Sequence, residues 1–293
     1  MSEPGSLRKR IKELEVMVAD VVSETPDTTT LVLFTGNDRL DYQAGHFLTI
    51  DPHQFDGLER FIAFFEDVKG REEPPRAYSM ASAPHEKYLA ITIKEERYVS
   101  GTTRYPPLLS PLLVKRMARG MRLVVTGFTG PYTLPEDIES RTDRIVHLCA
   151  GSGIVPNFSI LKHALLHHPK VRHTVVYSNK IWADIIFRDE LAKLERRHQG
   201  SLHVIHTLTR EEEKTARHPG VRSGRVSAPL LREAIPDPTA CMVYACGPAI
   251  SAWDRKAARE SGVAPAARFL ETAVASLIEL GVPEERIKKE SYG

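Results

Sequence analysis

The sequence predicts two domains, an antiparallel β-barrel followed by an α/β doubly wound parallel sheet. Three observations carry this. The chain has 293 residues, about twice the roughly 150 expected of one domain. Its first half reads as short β-branched runs separated by turn residues, the pattern of a barrel or sandwich. Its second half alternates apolar runs with helical stretches, the pattern of a parallel sheet covered by helices. The rhythm changes across residues 134–143, a polar stretch with Pro135. The expected division is therefore residues 1–141 and 142–293.

In the first half, residues 15–22 are rich in valine, and residues 28–34, 45–50, 88–94 and 122–126 continue the strand pattern, with Gly127, Gly130 and Pro131 as breakers. Two segments interrupt it. Residues 51–75 hold Phe61, Phe64 and Phe65 and end in Glu72-Glu73-Pro74-Pro75. Residues 108–119 read as a helix opening near Ser110. In the second half, residues 145–150 are apolar apart from His147, as expected of a strand buried on both faces. A glycine turn and helix 157–168 follow, then strand 172–177, helix 184–197, strand 202–208, helix 226–234, strand 241–246 and helical sequence over 249–280.

Composition removes several function classes. Charged residues make up 27% and the net charge is only +2, so neither disorder nor a general nucleic-acid binder is indicated. Three cysteines, Cys149, Cys241 and Cys246, exclude a disulfide framework and a four-cysteine iron–sulfur cluster. No apolar run reaches 18 residues and the first ten residues lack an apolar signal core, so no membrane span is expected and a cytoplasmic location is the default.

Three motifs carry chemistry. Arg76-Ala77-Tyr78-Ser79, with Ser82 beyond, sets an arginine fork for phosphate, a flat ring for stacking and a small hydroxyl close together. The plainer alternative is an edge strand with a surface arginine. Gly151-Ser152-Gly153-Ile154-Val155-Pro156 follows a buried strand and opens a helix, where free N–H groups suit a pyrophosphate. Its alternative is a structural βα turn. Cys246-Gly247-Pro248 ends a buried strand at the edge where open α/β sheets bind ligands. Its alternative is a buried packing cysteine.

The order of these motifs resembles that of the ferredoxin–NADP⁺ reductase superfamily of flavoproteins, especially oxygenase reductase components without an iron–sulfur domain. Tyr42-Gln43-Ala44-Gly45-His46-Phe47, Gly127-Phe128-Thr129-Gly130-Pro131-Tyr132 and the tail Gly281-Val282-Pro283, Ile287, Glu290-Ser291-Tyr292 extend it from about residue 15 to the end. The resemblance implies FAD in the barrel and NAD(P)H on the parallel sheet. It implies that Arg76 holds the flavin pyrophosphate with Ala77, Ser82 and Ser110 around it, Tyr78 stacks on the flavin, and Ser79 sits near its N5. Gly151, Ser152, Gly153 and Pro156 form the nucleotide turn. Cys246, with Gly247 and Pro248, lies near the nicotinamide, and Glu290 and Tyr292 close over the flavin. Ser79, Cys246 and Glu290 are the expected catalytic residues.

Some positions depart from the family pattern. Pro107, where a phosphate-binding glycine is usual, has no N–H to donate. His46 stands in place of glutamine, and residues 51–75 and 249–280 are longer than usual. Thr209-Arg210 resembles the pair that binds the 2′-phosphate, and no acidic residue follows the second strand of the parallel sheet, so NADPH is slightly favoured over NADH. The expected acceptor is a separate ferredoxin or iron–sulfur oxygenase component. The alternatives are direct reduction of free flavin, ferric chelate or quinone, and a non-catalytic nucleotide-binding subunit. Lys115, Arg116, Arg119 and Arg122 form a candidate docking patch for an acidic partner. His163 and His167 stand at i, i+4 on a helix, but with no further ligand close in sequence no metal site is expected.

Overall fold

A computed structural model describes residues 13–36, 40–100, 105–211 and 220–292. The basic cluster at residues 8–12 and most of the charged run after Arg210 lie outside them. Strands β1 (Leu14–Thr25) and β2 (Thr28–Phe34) pair antiparallel through a turn at Pro26. Strand β3 (Phe47–Ile50) precedes helix α1 (Glu59–Lys69), which occupies the long 51–75 connection. Strands β4 (Arg76–Ser79) and β5 (Leu89–Lys94), helix α2 (Ser110–Lys115) and strand β6 (Arg122–Thr129) complete this half. The sheet order is β4-β3-β6-β1-β2-β5, and a bridge between Met80 and Ile91 joins its two ends. Alternate residues point inward, among them Val16 and Val18, Leu31 and Leu33, Leu48 and Ile50, Ile91 and Ile93, and Leu123 and Val125, forming one apolar core.

Helix α2 is shorter than the 108–119 expected, because the chain leaves it at Arg116 and turns at Gly120 with φ 86°. Strand β6 runs through Gly127 rather than breaking there. Phe47 faces Thr129 while Leu48 faces Gly127, so Phe128 is the extra residue of a bulge, with φ 55°. Of the candidate docking patch, Lys115 pairs with Glu95, Arg119 with Asp20 and Arg122 with Glu15. The patch is therefore largely charge-balanced and loses its claim to steer an acidic partner.

The short helix α3 (Ile138–Arg141) leads to the second sheet. There, β7 (Arg144–Ala150), α4 (Ile154–His167), β8 (Arg172–Asn179), α5 (Arg188–Arg197), β9 (Leu202–Leu208), β10 (Val221–Ser223), α6 (Ala228–Ala234), β11 (Met242–Pro248), α7 (Ala252–Ser261), α8 (Phe269–Glu279) and β12 (Ile287–Tyr292) follow in order. All pairs are parallel, in the order β10-β9-β8-β7-β11-β12. Val146, Leu148, Val243 and Ala245 pack against α6 and α8. The alternate residues Cys149, Val175 and Tyr177 pack against α4 and α5. Helices thus cover both faces of a doubly wound sheet, and β7 and β11 flank its switch point.

The helical sequence over 249–280 forms a helix pair: Gly262 ends α7 in the left-handed region at φ 73°, and α8 starts at Phe269. Two expectations change here. Helix α4 begins at Ile154, because Pro156 in its first turn removes an N–H that has no helical partner there. The tail is a strand, β12, that the local pattern did not announce. His147, the polar residue of β7, is bonded to Asn157 at 2.9 Å and His173 at 3.1 Å, and burial pushes its pKa down to about 4.

Candidate functional site

Two clefts meet between the sheets. The nucleotide-side cleft, about 590 Å³, lies outside the carboxyl ends of β7, β8, β9 and β11. Gly151 and Ser152 line it at the start of α4, a 14-residue helix whose first N–H groups carry partial positive charge. Gly153 stands behind the turn. A Cβ there would lie 2.1 Å from the Cys246 carbonyl oxygen, so only glycine lets the turn approach β11. Asn157 fixes the same turn by donating to the Gly153 carbonyl at 3.0 Å. Pro156 is buried in α4 and does not face the cleft.

Thr209 and Arg210 line the cleft as expected, although the Thr209 hydroxyl donates to the Asn179 carbonyl at 3.2 Å. Lys94, Lys180, Arg225 and Arg268 add positive charge, against one carboxylate, Asp184, among the described lining residues. Arg222 is paired with Glu233 and stays outside. Sequence reading missed Lys94 and Arg268, since one comes from the barrel and the other from the α7–α8 connection. Gly247 leaves room for the Phe269 ring, which would lie 2.6 Å from an added Cβ.

The barrel-side cleft, about 630 Å³, is lined by all four residues Arg76, Ala77, Tyr78 and Ser79, by Ser110, and by Tyr292 from β12. Helix α1 contributes Phe65 and Lys69, so the 51–75 insertion is a wall of this cleft. Arg76 does not stand alone. It pairs at 2.5 Å with Glu73, which is 2% exposed and also pairs with Lys69. The two cations hold the Glu73 carboxyl below its ordinary range even though burial opposes them. Ser110 accepts from the Glu96 N–H at 3.1 Å, which orients the hydroxyl beside Pro107.

Ser82 is a correction. It lines neither cleft: its hydroxyl accepts from the Ala90 N–H at 2.9 Å and bonds Tyr42, locking the barrel seam.

Register on the parallel sheet sets the remaining residues. Cys246 faces Cys149 on one side and Glu290 on the other, and Pro248 faces Tyr292. Tyr292 donates to the Ser79 hydroxyl, which donates to Glu290 at 3.4 Å. Cys246 has no exposed surface and lines neither cleft, and burial pushes its thiol well up. It is therefore a neutral buried thiol in the apolar cluster that Tyr292 packs against, and it does not face either cleft. Glu290 also sits behind Ser79, outside both linings, and positions it. Ser152, Pro248 and Lys94 line both clefts, marking where they join.

Burial lifts the Glu290 carboxyl from 4.5 to about 7. Between those values the folded chain holds a proton that the unfolded chain releases, so this residue's contribution to stability falls as pH rises from about 4.5 to 7. Replacing Glu290 with Gln removes that loss. The variant should gain in thermal midpoint over wild type at pH 8 relative to pH 5, and equal differences at both would refute the assignment.

The arrangement defines a fold class: an antiparallel barrel beside a doubly wound parallel sheet. Residues 148–252 match the family described as the oxidoreductase NAD-binding domain. It is 30% identical over 249 residues to the ferredoxin reductase component of 3-ketosteroid-9-alpha-monooxygenase from Mycobacterium tuberculosis (strain CDC 1551 / Oshkosh), covering 80% of this chain and 58% of that one. It is 26% identical over 235 residues to the NADH oxidoreductase HCR of Escherichia coli (strain K12), covering 80% and 60%. The chain thus spans under two thirds of the length of these relatives. The flavohem-like FAD/NAD-binding domain of nitric oxide dioxygenase from Vibrio cholerae shares its fold, with a TM-score of 0.69 at 22% identity over 96% of this chain and 98% of that one. Among the described residues, no helix is long and apolar enough to cross a membrane.

Proposed function

We propose that this chain is an NAD(P)H-dependent flavoprotein reductase that holds FAD in the barrel-side cleft and NAD(P)H in the nucleotide-side cleft. The observation that carries it is the junction of the two clefts at Ser152 and Pro248, with Ser79 and Tyr292 on the barrel side. The barrel-side residues fit the cofactor. Tyr78 offers a half-buried ring face, Arg76 and Lys69 offer charge for a pyrophosphate, and Ser110 offers a hydroxyl. Bound flavin supplies hydride acceptance from the nicotinamide and one-electron release to an acceptor.

The chain's own groups bind and orient. Ser79 presents its hydroxyl with its rotor fixed between Tyr292 and Glu290. Arg76, held by Glu73, would bind the flavin phosphate oxygens. Gly151 and Ser152 offer backbone N–H groups to the nucleotide pyrophosphate. Tyr292 packs against the apolar cluster that includes Cys246 and lines the barrel-side cleft. The sheet change between β6 and β7 supports a division at residues 141 and 142 into FAD-binding and NAD(P)-binding domains.

The acceptor is a separate ferredoxin or iron–sulfur oxygenase component. The support is that the mycobacterial relative carries the name of a ferredoxin reductase component of a monooxygenase.

NADPH is the favoured donor, because Lys180, Arg210 and Arg225 line the nucleotide-side cleft and suit a 2′-phosphate. Replacing Arg210 with Ala should raise KM for NADPH at least about tenfold, from the charged hydrogen bond lost, and leave KM for NADH within about twofold. Equal changes for both donors would overturn the preference. No reduction of bound flavin by either donor would overturn the function.

A further inference from the structure

We propose that His85, His163 and His167 form a binding site for one divalent transition-metal ion of the zinc type, held between the β4–β5 connection and helix α4. The fold supplies the ligand that the local sequence lacked. His163 and His167 share a face of α4 at i, i+4, with ring centroids 4.5 Å apart. His85, from the barrel half, places its ring 6.1 Å from His163 and 5.5 Å from His167. One ring nitrogen from each lies within 4.8 Å of the others.

The His85 segment is fastened to α4. Ser159 donates to the Ser82 carbonyl at 2.7 Å, Lys162 pairs with Glu86, and Glu86 accepts from the Ala83 N–H at 2.6 Å. His163 Nδ1 is buried and has no hydrogen-bond partner among the described residues, a polar atom that a metal bond would satisfy. Burial and the neighbouring histidines push the His163 pKa down to about 4, and burial lowers that of His85. At neutral pH both rings are uncharged and keep a lone pair for a metal.

Three imidazoles with an open fourth position suit zinc-type ions rather than calcium or magnesium, which take oxygen ligands. Nitrogens on one tetrahedral zinc stand about 3.4 Å apart, from Zn–N bonds of about 2.0–2.1 Å. Binding therefore needs ring shifts of about 1 Å, which exposed His85 and His167 can make. The ion would tie the barrel half to α4, the helix that begins at the Gly151–Gly153 turn. None of the three histidines lines either cleft, so the site stands apart from the reductase reading.

The test uses tag-free chain titrated with Co²⁺ and followed by visible absorption, with thermal midpoints measured in Zn²⁺ and in chelator. We expect one ion per chain and a midpoint raised by about 5–10 °C at Zn²⁺ a hundredfold above Kd. His85→Ala should weaken binding at least about tenfold and leave the midpoint in chelator unchanged. His168→Ala, whose ring is 6.0 Å from His163, should bind as wild type does. The proposal is overturned if wild type shows no saturable binding, if His85→Ala binds as tightly as wild type, or if His168→Ala weakens binding as much as His85→Ala.

Discussion

Gly153→Ala should lower the thermal midpoint of this protein by roughly 6–12 °C and raise KM for the nicotinamide nucleotide. The added Cβ would sit 2.1 Å from the Cys246 carbonyl oxygen and 2.8 Å from the Gly247 nitrogen. Both are backbone atoms of β11, so no rotamer change relieves the clash. The turn after β7 and the end of β11 must separate. Overpacking of this kind costs about 3 kcal/mol, which for a domain of 150–250 residues is the midpoint shift given. The same separation moves Ser152 relative to Pro248, two of the three residues common to both clefts. A midpoint within about 2 °C of wild type, with KM unchanged, would mean that the turn has slack the geometry does not show.

Ser79→Ala should slow hydride transfer to the bound flavin by roughly 10²-fold, the usual cost of losing one preorganised hydrogen-bonding group at a reacting centre. Ser79 is 5% exposed, lines the barrel-side cleft and has its hydroxyl fixed by Tyr292 and Glu290. The KM for the nucleotide should change little, because Ser79 is not among the residues that line the nucleotide-side cleft. Stopped-flow reduction of bound flavin separates the two quantities. A rate within about twofold of wild type would remove Ser79 from the reaction and leave it as a packing residue.

What was legible in the sequence follows from how local each signal is. The inward alternation of Leu31 with Leu33 and of Ile91 with Ile93 is a period-two pattern that any six-residue window contains. The unbroken apolar run of β7 needs no partner to be read as a buried strand. The turn 151–153 was equally plain, since glycines between such a strand and a helix have few other uses.

The misreadings at the site concern long-range pairing. Strand β12 is Ile287-Lys288-Lys289-Glu290-Ser291-Tyr292, a charged edge strand whose pattern resembles surface loop. Only its register beside β11 puts Glu290 opposite Cys246 and joins Tyr292 to Ser79. Arg76 looks like an unencumbered phosphate ligand until Glu73 and Lys69 are placed around it. Ser82 and Cys246 were read as facing ligand, and burial turned both into packing residues. Lys94 and His85 belong to the barrel half by sequence and to the shared surface by folding.

Anaerobic mixing of the FAD-reconstituted chain with NADPH and, separately, with NADH tests the central claim most directly. The protein should retain FAD through gel filtration, and the flavin absorbance should bleach with single-turnover kinetics, faster with NADPH. Failure to retain FAD, or retained flavin that neither nucleotide bleaches, would contradict the account of two joined clefts.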